Sequence, residues 1–235
     1  MSIIVSVIIL ILSMLIPFFM QLIPGAFSLF YHNALGKTTA KKADDRSLSF
    51  ILGVEIFTVL IWLIVYSLTF LLFYHVIDSG SRIFPYVMAG IFIAEAFAVL
   101  LFYYRRGKST ALFIPRRIAN SIVAKIEKHK NRSDCILLGA IIGIFELIFV
   151  LPCYIISSAI LVNSTTLPHI LIVIAFPIIS ILPLFAVRNA FRFGSNLAEI
   201  QRFRVKIKPS VRFTLFISFI LLAACTIYLG VINHG

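Results

Sequence analysis

The chain has 235 residues, 61% of them hydrophobic, and its 21 Lys and Arg against nine Asp and Glu give a formal charge of +12. A soluble domain of this length cannot bury so large an apolar fraction, which excludes an ordinary globular enzyme. The positive charge does not mark a nucleic-acid binder either, because it is confined to short connections between apolar stretches, where membrane orientation requires it.

Six apolar stretches lie at roughly 2–31, 47–77, 83–104, 135–162, 167–187 and 213–232. Each reaches the ~20 residues that a helix needs to cross ~30 Å of hydrocarbon. The first, third and fifth connections carry four, nine and seven basic residues, the second only Arg82, and the fourth and both termini none. Short basic loops are retained in the cytoplasm. The expected fold is therefore an all-α membrane protein with six transmembrane helices, multi-pass in the plasma membrane, with both termini external. Its basic loops should also be drawn to anionic lipid headgroups, by on the order of 1 kcal/mol per well-placed Lys or Arg.

The opening segment MSIIVSVIILILSMLIPFFM lacks a basic lead and a small-residue cleavage site, so it reads as an uncleaved first span. Pro24-Gly25 lies late in that span, and His32 ends it beside Tyr31 and Asn33. Span two carries Glu55 near its cytoplasmic boundary, with His75 and Asp78 at the outer end. His32, His75 and Asp78 are candidates for a proton path, although Tyr and His are also ordinary boundary residues. Span three holds Glu95 about twelve residues in, and span four holds Glu146 at a similar depth. At ~1.5 Å per residue, both carboxyls fall near mid-membrane.

Residues 105–134 form the longest connection and divide the chain into a first half, 1–104, and a second half, 135–235. Three crossings per half make the halves enter from opposite faces, the parity of an inverted three-helix repeat. Pro24-Gly25 in the first span and Pro152-Cys153 in the fourth are expected to interrupt corresponding helices, and Pro177 and Pro183 recur in the fifth. Proline lacks an N–H and frees a carbonyl one turn back, so such breaks can line a substrate path or merely kink a helix. Two amphipathic segments are expected to lie on the membrane surface. One follows Pro115 with Ile118, Ile122, Val123 and Ile126 on a face; the other repeats Phe193, Leu197, Ile200 and Phe203. Gly139 and Gly143 form a small-xxx-small pair that should let another helix approach span four closely.

A carboxylate in the bilayer interior costs at least ~2.5 kcal/mol and usually faces a polar interior or takes up a proton. Glu95, Glu146 and Glu55 are accordingly the leading site candidates, and no basic residue lies deep in a span to neutralise them. A proton, metal ion or cationic solute is their natural partner; if Glu95 and Glu146 meet, they would form a proton-binding pair. The other reading is a protonated carboxyl fixing helix contacts. Glu146 and Cys153 are two helical turns apart and share a face of span four, with Pro152 beside them. Cys135, Cys153 and Cys225 make no even framework, and no Cys or His has zinc-ligand spacing, so no cofactor is expected.

The segment LIPGAFSLFYHNALGK followed by a basic loop resembles the opening of lysine-exporter-type (LysE-type) transporters. LPCYIISSAI is similar to a Pro-containing helix of the wider superfamily that includes the CcdA and DsbD thiol-electron carriers. The resemblance covers the six-span layout and implies two inverted halves around a central site near Pro24, Gly25, Pro152 and Cys153. The carriers use one cysteine in the first helix of each half, whereas the region around Pro24-Gly25 has none. A lone thiol cannot form the internal disulfide. The function expected is a non-enzymatic transporter exporting a small solute or cation, with proton coupling open through Glu95 or Glu146. The alternatives are a redox carrier working from Cys153 onto a partner thiol, and a membrane scaffold or lipid-addressing subunit. The partners expected are the solute and membrane lipids, with a homo-oligomer left open.

Overall fold

Among the described residues, six helices fold from these apolar stretches. The computed structural model describes residues 3–21, 40–75, 83–101, 131–164, 168–192 and 197–232. The helices are α1 (Ile3–Met20), α2 (Ala40–His75), α3 (Ile83–Leu101), α4 (Arg132–Asn163), α5 (His169–Arg192) and α6 (Leu197–Ile232). Each contains a segment long and apolar enough to cross a membrane. The chain is an all-α, multi-pass membrane protein.

Side-chain distribution identifies lipid as the solvent of this fold. Ile170, Leu171, Ile174, Ile178 and Leu182 stand exposed along α5, and Leu137, Ile144 and Ile148 along α4. Polar residues take the opposite placement: Ser6, Ser13, Gln21, Thr58, Glu95, Ser157, Ser180, Ser218 and Thr226 are all buried. Hydrocarbon offers no hydrogen bonds, so polar groups turn inward. Several hydroxyls are satisfied by their own helix, as where Ser158 donates to the Tyr154 carbonyl at 2.7 Å and Thr226 to the Leu222 carbonyl at 2.6 Å.

Among the described residues, the substantial helix contacts all join residues 3–101 to residues 132–232. α2 packs on α4 and α5, α3 on α6 and α4, and α1 on α4, α5 and α6. This set of pairs maps onto itself when α1, α2 and α3 are exchanged with α4, α5 and α6 in order. The two halves therefore interleave instead of sitting side by side.

α2 and α4 run parallel along the tightest seam. A Cβ added at Gly139 would lie 2.2 Å from the Phe50 carbonyl oxygen, and one at Gly53 only 2.0 Å from that of Ile136. Backbones approach this closely only where both helices present glycine. Gly143 abuts the Phe57 ring in the same seam. The spacing of Gly139 and Gly143 marked α4's side; Gly53, the complementary glycine, was not singled out.

Trp62 fixes α5 against α2 through a vacancy that the α5 sequence creates. Pro177 has no N–H, so the carbonyl of Val173, four residues earlier, loses its intrahelical donor. The Trp62 indole Nε1 donates to that oxygen at 2.9 Å. Its ring stacks on Phe176 with centroids 4.4 Å apart and meets Tyr154 edge-on at 5.3 Å. At the charged ends, Arg188 of α5 pairs through two nitrogens with Asp44 of α2, and Arg132 of α4 pairs with Asp45. Arg212 of α6 donates to the Leu100 carbonyl of α3.

Two expectations about continuity are corrected. α4 is helical from Arg132 to Asn163 straight through Pro152, and α5 is helical through Pro177 and Pro183. A single proline removes one rung of the ladder, and the bonds on either side of it carry the helix onward. The second surface segment is likewise not a separate helix over its described part: Leu197 begins α6, which runs through Pro209 to Ile232. The first surface segment lies outside the described residues.

Candidate functional site

The site builds from the end of α1. Leaving the helix, Gln21 closes the last turn through its backbone N–H to the Pro17 carbonyl at 2.9 Å. Its side chain is buried, and Nε2 donates to Glu146 Oε2 at 2.9 Å. Glu146 lies about midway along α4, half-buried, with an uncharged amide as its partner. Among the described residues, no Lys or Arg pairs with it.

Beside this pair lies a small cavity. It is lined by Gln21 of α1, by Phe57, Thr58 and Ile61 of α2, and by Gly143, Glu146, Leu147, Val150 and Tyr154 of α4. Its volume is about 10 Å³, close to the room that a single water needs. The gap lies between α1, α2 and α4. Tyr154 stands two turns from Glu146 on the same stripe of α4, is buried, and is an electrostatic neighbour of Glu146, Cys153 and Glu55.

Cys153 is fully buried and directs its sulfur at the Phe149 carbonyl of its own helix, 3.7 Å away. It does not line the cavity; Tyr154, one residue on, does. Glu95 of α3 is an acidic neighbour of the Cys153 sulfur. Glu95 lies six residues before the end of α3, so it sits off-centre in that helix, with one carboxyl oxygen buried and unpartnered among the described residues. α3 presents Glu95 beside Cys153 of α4, while α1 brings an amide to Glu146. Glu55 precedes Thr58 by one turn on α2 and leaves one carboxyl oxygen buried without a partner among the described residues.

The remaining candidates separate by position. Pro24, Gly25, His32 and Asp78 lie outside the described residues, as does the side chain of His75. Pro152 is buried within α4. Cys135, Cys153 and Cys225 form no disulfide among the described residues. Cys135 and Cys153 are separated by about 27 Å along one helix at ~1.5 Å per residue, beyond the reach of a disulfide. No group of three His, Cys, Asp or Glu assembles among the described residues.

Gln21, Thr58 and Tyr154 were not singled out from the sequence. Gln21 had a usable signal: an amide at the end of an otherwise apolar run is costly in lipid unless it finds a partner. Thr58 and Tyr154 had none, because hydroxyl residues recur throughout the spans. No protein-family model, curated protein or solved structure matches the chain.

Proposed function

We propose that the chain is a plasma-membrane carrier, with both termini external, that moves a small solute or cation and couples its movement to a cation or proton at Glu146. One observation carries this reading: a carboxylate inside the helical bundle, held by the Gln21 amide, beside a cavity lined by further oxygen-bearing side chains. A carboxyl kept only for packing would cost membrane stability that an apolar residue avoids. A carboxyl that gains and loses a positive charge gives the protein two states with different preferred packing, which coupling requires. The short motifs shared with lysine-exporter-type carriers, and the alternation of basic loops that puts the Arg132 and Arg188 ends in the cytoplasm, agree with it.

The redox alternative has less support. A thiol that exchanges with a partner must be reached by it, and Cys153 is fully buried with its sulfur turned to its own helix. A scaffold would have no use for a cavity beside an interior carboxylate. The test is solute profiling of cells with and without the gene, followed by flux of the affected solute in reconstituted vesicles. The reading requires flux that rises when a Na⁺ or proton gradient is imposed. Unchanged solute pools together with ion-independent flux would reject it.

A further inference from the structure

The cavity beside Glu146 differs from a packing defect in what lines it. Voids left by imperfect packing are apolar and stay dry. Here Gln21, Thr58, Glu146 and Tyr154, each with an oxygen-bearing side chain, line a space of about 10 Å³. Gln21 is only 4% exposed, and its Nε2 is committed to Glu146. Its Oε1 is buried with no donor among the described residues. An amide oxygen left in that condition is costly, by about 1–3 kcal/mol. The group that relieves it must be small, must fit beside a carboxylate and must itself be a donor or a positive charge.

We infer that this cavity is a binding site for one small monovalent cation of sodium size, with ligands drawn from the Glu146 carboxylate, Gln21 Oε1 and the hydroxyls of Thr58 and Tyr154. Charge selects the valence: among the described residues, Glu146 is the single acidic residue lining the space, and it balances one positive charge. A divalent ion would keep an uncompensated charge in low dielectric, and Mg²⁺ would also need room for the waters it retains. Volume excludes organic ammonium ions, since the space holds about one water. The elements contributing ligands are α1, α2 and α4, so occupancy ties the end of α1 to the α2–α4 pair. This inference rests on the carrier reading and names its coupling ion.

The chain supplies its own reporter. Trp62 is the sole tryptophan, and its ring centroid lies 5.3 Å from that of Tyr154. The full chain, purified in detergent, is titrated with NaCl against choline chloride at constant ionic strength while Trp62 emission and melting temperature are followed. A saturable response to Na⁺ and none to choline is expected. Thr58→Val keeps the volume and removes one oxygen, and should raise the half-saturating concentration at least tenfold. Glu146→Gln should abolish the response, and Cys153→Ser should titrate as wild type. Equal responses to Na⁺ and choline, or no response in the wild type, would leave the cavity a water site only and overturn the inference. So would Thr58→Val titrating as wild type, a comparison that holds even if Glu146→Gln fails to fold. Na⁺ binding without vesicle flux removes the carrier reading and keeps the site; flux without Na⁺ binding does the reverse.

Discussion

α4 meets its neighbours in two contrasting ways within a few turns. Around Gly139 its backbone lies so close to α2 that a methyl group at either Gly139 or Gly53 would overlap a carbonyl oxygen of the other helix. One turn past Gly143, the same helix presents Glu146 to Gln21 and leaves a cavity. Helices in lipid gain no hydrophobic drive from meeting, so close backbone packing must hold them together. The glycine seam supplies that contact and has no slack. The Glu146 region gives contact up, and a group there can change charge or occupant without unpacking the bundle. On the proposed reading, structural and functional demands are thus met by adjacent segments of one helix.

The largest expected effect breaks the seam. Gly139→Leu should abolish recovery of monodisperse protein, and Gly139→Ala should already lower the melting temperature clearly, because backbone cannot yield as a flexible side chain does. Overpacking typically costs about 1–3 kcal/mol, and this site belongs at the upper end. Gly90, which has nothing within 4 Å of an added Cβ, is the control, and Gly90→Ala should melt at or slightly above wild type. Equal melting temperatures for the two alanine variants would remove the distinction between seam and surface.

The next effect concerns the wall behind the cavity. Trp62→Phe leaves the Val173 carbonyl without a donor and should cost about 1–3 kcal/mol. Pro177→Ala restores the N–H within α5, so it should be less harmful in the Trp62→Phe background than in wild type. Additive melting shifts in that double-mutant cycle would mean that the indole bond is incidental.

The smallest effects belong to the charged ends. The Arg188 and Asp44 side chains are 11% and 26% exposed, whereas Arg132 and Asp45 are 72% and 40% exposed. Arg132→Gln should stay within about 0.5 kcal/mol of wild type. Arg188→Gln, which loses two bonds in a more sheltered place, should be the more destabilising in a thermal melt. The reverse order would show that burial does not rank these pairs.

What was legible in the sequence follows from how far apart the cooperating residues lie. Span number and the glycine spacing on α4 are local patterns, and both are present in the fold. Hydropathy likewise singled out Glu146 as a carboxylate within a span. Its partner could not be read the same way: Gln21 is 125 residues away, and only tertiary packing places it there. The same holds for Trp62 and Val173, 111 residues apart, although a lone indole and a proline-freed carbonyl are complementary in retrospect. The expected break at Pro152 failed because proline content reports a lost rung, not whether the neighbouring rungs hold. Whether Glu95 and Glu146 meet was not legible either, because depth along two helices does not determine which faces meet.

The claim that most needs testing is that the Glu146 region is functional while the glycine seam is structural. Flux measured in proteoliposomes under an imposed Na⁺ or proton gradient, comparing wild type with Glu146→Gln at matched protein content, addresses it most directly. The account predicts that Glu146→Gln inserts and melts close to wild type but loses gradient-driven flux by at least tenfold. Wild-type flux in Glu146→Gln would contradict it and leave this carboxyl a packing residue.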